Sequence, residues 1–377
     1  MTTTDAILAE RTPGGLGLIT LNRPQALNAL SLEMVRALTH TLRAWRHDAA
    51  VKAVALRGMG KAPEGFAPFG AFCAGGDIRF FHQAALAGDA ALGDFFTEEY
   101  TLNHLIQTYG KPLIAFIDGI VMGGGMGLCQ GPSAREAGGA GGLLRVATER
   151  TRMAMPETRI GLFPDVGGGY FLGRAPGRLG EYLALTGHVL TGAEAVAATL
   201  ADGRVPSAQL PGLWAHLAGT AWDGGLAAQH WVAARFEAGG AGEIAHRDEI
   251  DRVFGLPTVG AIVAALEQAD GAWAQGTAQA LRTRSPLMLH VALEQVRRAR
   301  GMALADELRM ERGLVHQCFH LRPGPLSETV EGIRALAVDK DHAPRWQPAR
   351  IKDVTPGMVA PFFDSPWPAH RHPLAAL

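Results

Sequence analysis

Charge is scarce in this chain. Charged residues occupy 19% of its 377 positions and cancel to a net −1. There is no field to hold nucleic acid or an anionic membrane, so any anion must be met locally. Cysteine is scarcer still. Cys73, Cys129 and Cys318 lie far apart without a CxxC, which argues against a disulfide scaffold and for a reducing compartment. No stretch approaches roughly eighteen uninterrupted apolar residues, so no transmembrane helix is expected. The N-terminus, MTTTDAILAERTPGG, lacks a basic segment followed by an apolar run, and no signal peptide is read there. The fourteen histidines show neither HExxH nor close ligand spacing, and no metal site is expected. GxGxxG and Walker patterns are absent, as is any internal repeat. A soluble cytoplasmic protein is the expectation.

What is present is apolar sequence punctuated by glycine. Hydrophobic residues make up 47% of the chain, enough for a substantial core in one large domain with an appendage, or in two. Leu16 to Leu21 reads as a strand closed by the turn Asn22-Arg23-Pro24. Ser31 reads as the N-cap of a helix whose stripe is Leu32, Val35, Leu38, Leu42 and Trp45, and Val51 to Leu56 returns to strand. Strand, helix, strand within some forty residues predicts α/β architecture with a crossover.

Lys61 to Gly70 reads as a loop delivering FCAGGDI at 72–78. There Ala-Gly-Gly-Asp suggests a turn with bare amides and Asp77 opening a helix; taken in isolation, an ordinary glycine turn with a capping Asp is the simpler reading. A helix over Phe95–Tyr109 precedes a buried strand, Leu113–Ile117, which leads to MGGGMGL at 122–128. Three consecutive glycines cost chain entropy, and make sense where backbone touches a ligand at a helix start whose free N–H groups favour negative charge. Pro132–Leu144 is Ala/Gly-rich and reads as a flexible insertion. Arg145–Thr148 and Arg152–Met155 read as a short strand pair.

The pair feeds the most informative stretch, MPETRIGLFPDVGGGY at 155–170. Two carboxylates, Glu157 and Asp165, each follow a proline and precede tight glycine-bearing turns. A rigid loop presenting two acids to a cleft is one reading; Glu157 and Asp165 as caps of short helices is the other. Downstream, Leu179–Thr186 reads as a helix and Thr191 with Glu194 as a capping box. From about Pro211 the sequence is helix-rich, with Ser285-Pro286 starting a helix that ends in a solvated face of Arg297, Arg298 and Arg300.

Four stretches in order resemble the crotonase (enoyl-CoA hydratase/isomerase) superfamily: NRPQALNAL at 22–30, FCAGGDIR at 72–79, MGGGMGL at 122–128 and MPETRIGLFPDVGGGYFL at 155–172. The run Phe163–Gly168 and the tail EGIRALAVDKDHAPRW at 331–346 are similar to its 3-hydroxyisobutyryl-CoA hydrolase branch. The resemblance implies a crotonase-type spiral of repeated ββα units over 1–210, with a helical C-terminal region, 211–377, covering the acyl end of the site. It implies an oxyanion hole from the amides of Gly76 and Gly124, and Glu157 as principal acid with Asp165 as partner. Hydratases of the superfamily use two glutamates, and the first falls here on Gly127. Hydrolysis of a short β-hydroxyacyl-CoA is therefore expected. Ala74, Gly75, Asp77 and Gly123 are expected to contact substrate, with Arg23 and Arg79 candidates for the CoA phosphates. CoA belongs to the substrate and no other cofactor is implied; a homo-oligomer is possible in this superfamily. The segments 62–70 and 132–144 are longer than the pattern requires.

Overall fold

The computed structural model describes residues 5–62, 65–132 and 141–377. Strands are β1 Ile7–Arg11, β2 Leu16–Leu21, β3 Ala53–Gly58, β4 Gly60–Ala62, β5 Gly65–Ala67, β6 Ala71–Cys73, β7 Leu113–Phe116 and β8 Ile120–Met122. They continue with β9 Leu143–Ala147, β10 Arg152–Ala154, β11 Leu190–Thr191 and β12 Gly203–Arg204. A six-stranded sheet has the order β1-β2-β3-β7-β9-β12, and a second sheet runs β11-β10-β8-β6. Within these two sheets, among the described residues, the edge strands β1 and β11 are antiparallel to their neighbours and the remaining pairs are parallel.

Successive strand pairs split between the two sheets. β3, β7 and β9 enter the large sheet while β6, β8 and β10, which follow them, enter the small one. This is the repeated strand–strand–helix winding expected from the sequence. It also corrects one reading: the strands around Arg145–Thr148 and Arg152–Met155 exist but do not pair with each other. A second correction concerns 61–70, read as a loop, where β4 and β5 form an antiparallel hairpin with Gly60 opposite Ala67. Pro63 and Glu64 in that segment, and residues 133–140 of the 132–144 segment, lie outside the described residues.

Packing divides the chain into two compact units, each assembled from three segments. The first comprises 1–76, 102–154 and 189–244; the second comprises 77–101, 155–188 and 245–377. The linear division at residue 210 is not the one the packing makes. Helices Leu210–Gly219 and Gly225–Ala233 bury Leu213, Trp214, Leu217, Ala228 and Val232 in the same apolar core as Leu16, Ala53, Phe116 and Val146 of the large sheet. In the second unit, helix Pro286–Ala299 packs on Gly168–Gly173 and Leu179–Thr186. Its N-cap Ser285 accepts from the Met288 amide as the Ser-Pro pair predicts. Its basic end differs from expectation. Arg300 lies 2.6 Å and Arg297 3.9 Å from the fully buried Glu181, so these two arginines neutralise an interior acid instead of facing water.

Asn28 holds the first glycine turn of unit one. It is fully buried with φ +57°, and its Nδ2 donates to the carbonyls of Met59, Ala71 and Phe72 at 2.9, 2.9 and 3.1 Å. Its Oδ1 accepts from the Arg23 amide at 2.8 Å. Asn28→Asp keeps the acceptor but sets a carboxylate against three carbonyl oxygens. We expect a loss of about 3 kcal/mol or more, measured by urea unfolding at pH 7. Wild-type stability in that variant would refute the assigned bonding.

Candidate active site elements

In unit one, two glycine turns are brought side by side. The Ala74 amide donates to Leu27 O at 3.0 Å and the Leu30 amide to Gly75 O at 2.8 Å, so NRPQALNAL anchors the turn after β6. Gly75 has φ +104°, and a Cβ there would lie 3.2 Å from Met122 O and 3.4 Å from Gly124 N. A Cβ on Gly125 would be 2.3 Å from Cys73 O. Close backbone approach is thus the reason for glycine at these two positions. Gly123, at φ +48°, turns the chain from β8 into the single helical turn Gly124–Gly127. Among the described residues, the Gly76 and Gly124 amides donate to no protein acceptor. The short helix has little dipole to offer, so the bare amides themselves are the anion-seeking groups. Gly127 is buried and presents no side chain. Arg23 spends one guanidinium nitrogen, Nη1, on Ala29 O at 3.0 Å.

In unit two, Asp77 caps helix Ile78–Ala87, accepting from the Phe80 amide at 3.4 Å, and Arg79 is exposed on its first turn. Glu157 opens a 3-10 turn, Glu157–Ile160, that ends at Gly161 in the left-handed region. Both sequence-predicted acids are buried: Glu157 is 6% and Asp165 5% exposed. Asp165 caps nothing with its side chain. Its Oδ2 accepts from the Tyr100 hydroxyl at 2.9 Å. The helix that follows, Gly168–Gly173, is instead capped from a distance: Glu311 accepts from the Gly167 amide at 2.7 Å and the Gly169 amide at 3.0 Å.

Five acids therefore gather in this unit, because Glu99, Glu307 and Glu311 are buried with the expected pair. One oxygen each of Glu99 and Glu157, and both of Glu307, have no hydrogen-bond partner among the described residues. Burial, then the negative charge of Asp165, holds Glu157 well above the usual carboxylate range. Burial, then Glu311, pushes Asp165 up to about 7 against the lowering effect of the Tyr100 hydroxyl. Glu99 is raised by burial and then by Asp165 and Glu157, and Tyr100 by burial and Asp165. Carboxyl groups this close titrate as a set, holding protons at neutral pH that isolated acids would have lost.

Glu99, Tyr100, Glu307 and Glu311 escaped the sequence reading. A signal did exist. Glu99 falls in phase with Leu92, Phe95, Phe96 and Ile106, and Glu307 and Glu311 with Leu308, Leu314, Val315 and Cys318, so all three acids occupy the apolar stripes of helices Ala91–Gln107 and Leu304–His320. No group of three or more His, Cys, Asp or Glu that could hold a metal occurs among the described residues.

The chain matches the Enoyl-CoA hydratase/isomerase family over residues 16–363. It is 39% identical to the mitochondrial 3-hydroxyisobutyryl-CoA hydrolase of Xenopus tropicalis over 366 residues, 93% of this chain and 87% of that one. It is 40% identical to 3-hydroxyisobutyryl-CoA hydrolase 1 of Arabidopsis thaliana over 370 residues, covering 92% and 88%. Among solved structures, a carnitinyl-CoA dehydratase from Mycobacterium thermoresistibile superposes with a TM-score of 0.82 at 37% identity, covering 96% of this chain and 97% of that one. An enoyl-CoA hydratase from Rhodobacter sphaeroides gives 0.81 at 35%, covering 96% and 98%.

The raised acids make stability depend on pH in a fixed direction. Asp165 and Glu307 each titrate near 7 in the fold, against ordinary values of 3.8 and 4.5. The unfolded chain therefore gives up these protons first. The stability they contribute is full below about pH 4 and is lost as pH rises through about 7. Asp165→Asn keeps an acceptor for Tyr100 and removes one such group. It should stabilise the protein by roughly 1–4 kcal/mol at pH 8, with the gain shrinking toward pH 4, in chemical unfolding at both pH values. A gain independent of pH would contradict the burial account.

Proposed function

The chain belongs to the enoyl-CoA hydratase/isomerase family, and from that membership we propose that it hydrolyses 3-hydroxyisobutyryl-CoA, a step of valine breakdown, to 3-hydroxyisobutyrate and free CoA. The observation that carries the reading is the buried Glu157 and Asp165 together with a bare Gly127. Hydration of an enoyl-CoA by paired glutamates needs a side chain at Gly127 to hold its water. Hydrolysis does not. The hydrolase names of relatives 38–40% identical over more than nine-tenths of the chain support the same choice.

Thioester hydrolysis asks for three things: donors for the carbonyl oxygen, a base or nucleophile, and a proton for the departing sulfur. The free amides of Gly76 and Gly124 suit the first, and losing one such donor typically costs on the order of 10²–10³ in rate. Glu157 serves as the reactive carboxylate, either drawing a proton from water or attacking the thioester carbon to give an anhydride that water opens. Asp165, titrating near 7, is poised between its two forms and can pass a proton to the CoA thiolate. Ala74, Gly75, Gly123 and Asp77 shape the substrate path, while Arg79, exposed, and Arg23 meet CoA phosphates. No cofactor beyond the CoA of the substrate enters this scheme.

Free-thiol release from 3-hydroxyisobutyryl-CoA, methacrylyl-CoA and crotonyl-CoA tests the reading. We expect rapid release from the hydroxy ester, cut about a thousandfold or more by Glu157→Gln. Because Glu157 reacts as a carboxylate and burial holds it well above the usual carboxylate range, the acid limb of the pH–rate profile should lie above that range. Conversion of an enoyl-CoA with its CoA intact would instead establish a hydratase or isomerase, hydratase being the name of the Rhodobacter sphaeroides structure. Binding of all three esters without turnover would leave a CoA-ester-binding protein.

A further inference from the structure

Behind Asp165 lies a second pair of acids that the proposed chemistry leaves unused. Glu307 and Glu311, one helical turn apart on Leu304–His320, are both fully buried. They are not equivalent. Glu311 receives three donors: the Gly167 amide at 2.7 Å, the Gly169 amide at 3.0 Å and Gln295 Nε2 at 2.8 Å. Gln295 Nε2 also donates to Pro164 O at 2.6 Å. Asp165 thus sits in a loop whose backbone is tied down on both sides, at Pro164 before it through Gln295 and at Gly167 and Gly169 after it through Glu311. Neither oxygen of Glu307 makes a hydrogen bond of good geometry among the described residues; its polar neighbours are the Tyr170 amide and Glu311, and a Cβ on Gly169 would lie 2.5 Å from its Oε1.

Two carboxylates cannot both be charged in such contact. Burial and Glu307 raise Glu311 well above the usual carboxylate range, and its three donors oppose that rise; Glu307 has only the Tyr170 amide and Glu311 beside it, so the shared proton sits on Glu307 and points at Glu311. We propose that Glu311 is a positioning residue for Asp165: its carboxylate fixes the loop that carries Asp165 and supplies the fixed negative charge beside it, while Glu307 stores the proton that keeps the pair singly charged. The groups facing Asp165 are accounted for on every neighbouring element. Helix Ala91–Gln107 gives Glu99 and Tyr100, the 3-10 turn gives Glu157, and Leu304–His320 gives Glu307, Glu311 and Cys318. Helix Pro286–Ala299 contributes the neutral Gln295. The cations Arg174 and Arg312 act on Glu307 and Tyr100. The acid that contacts the Asp165 loop directly through its backbone is Glu311.

This role rests on Asp165 being the catalytic partner of Glu157, and the test separates the two ideas. The full-length Glu311→Gln and Glu307→Gln variants are compared with wild type by pH–rate profile with 3-hydroxyisobutyryl-CoA. In parallel, the protonated-carboxyl infrared band is titrated, the part lost in Asp165→Asn being that of Asp165. Removing the Glu311 charge should move the Asp165 midpoint about one pH unit toward acid, lower kcat about tenfold and leave KM within about twofold. Glu307→Gln replaces a neutral acid by a neutral amide and should leave the midpoint in place. A Glu311→Gln midpoint that does not move, or a Glu307→Gln midpoint that moves as far, overturns the proposal. Should Glu311→Gln fail to fold, Glu307→Gln still decides, since a shift there would place the charge on Glu307. Wild type that releases no thiol would remove the hydrolase reading, while the infrared midpoint continues to test the positioning.

Discussion

Burying a carboxyl group is the constraint on which unit two is built. An anion taken out of water costs several kcal/mol unless something replaces its hydration, and this unit answers in two different ways. Glu181 is met by Arg178 at 3.0 Å and Arg300 at 2.6 Å, two cations that replace its hydration. The acids around Asp165 are given almost no cation. Protons, backbone amides and one phenol do the work there, and the group is left able to change its charge. The contrast separates an acid that fastens helices from acids that can exchange protons with a substrate.

In unit one the corresponding constraint is backbone against backbone. The turn after β6 and the turn after β8 approach so closely that side chains at Gly75 and Gly125 would meet main-chain atoms. The turn after β6 is held by the Asn28 amide, which occupies carbonyls of Met59, Ala71 and Phe72, while the Leu27 carbonyl and Leu30 amide grip Ala74 and Gly75. Donors fixed in this way have little reorganisation left to do when a charge develops in front of them.

Local punctuation was the legible part of the sequence. Ser31, Asp77, Thr191 with Glu194, and Ser285 each cap a helix as their residue types require, and the glycine runs mark the turns where chain meets chain. Glu157 and Asp165 stood out because prolines and glycines frame them. The partition of successive strands between two sheets was not legible, since β9 and β10 look like any hairpin until tertiary pairing separates them. Nor were the interior acids. A Glu on a helix is read as solvated because it usually is; only the phase of Glu99, Glu307 and Glu311 against the apolar stripe argued otherwise. Arg297 and Arg300 misled for the same reason, their partner Glu181 being more than a hundred residues away.

The three-segment make-up of each unit bears on how the protein comes into being on the ribosome. Segments 77–101 and 155–188 emerge before residues 245–377, which complete their unit, so the Pro164–Gly169 loop waits for roughly a third of the synthesis time for Gln295 and Glu311. Contacts of such long sequence separation form slowly and leave interrupted chains prone to aggregate. A nascent chain stopped anywhere before Glu311 would lack the residue that seats the Asp165 loop. The order of the segments thus sets when the Asp165 loop can be seated, independent of how stable the finished protein is.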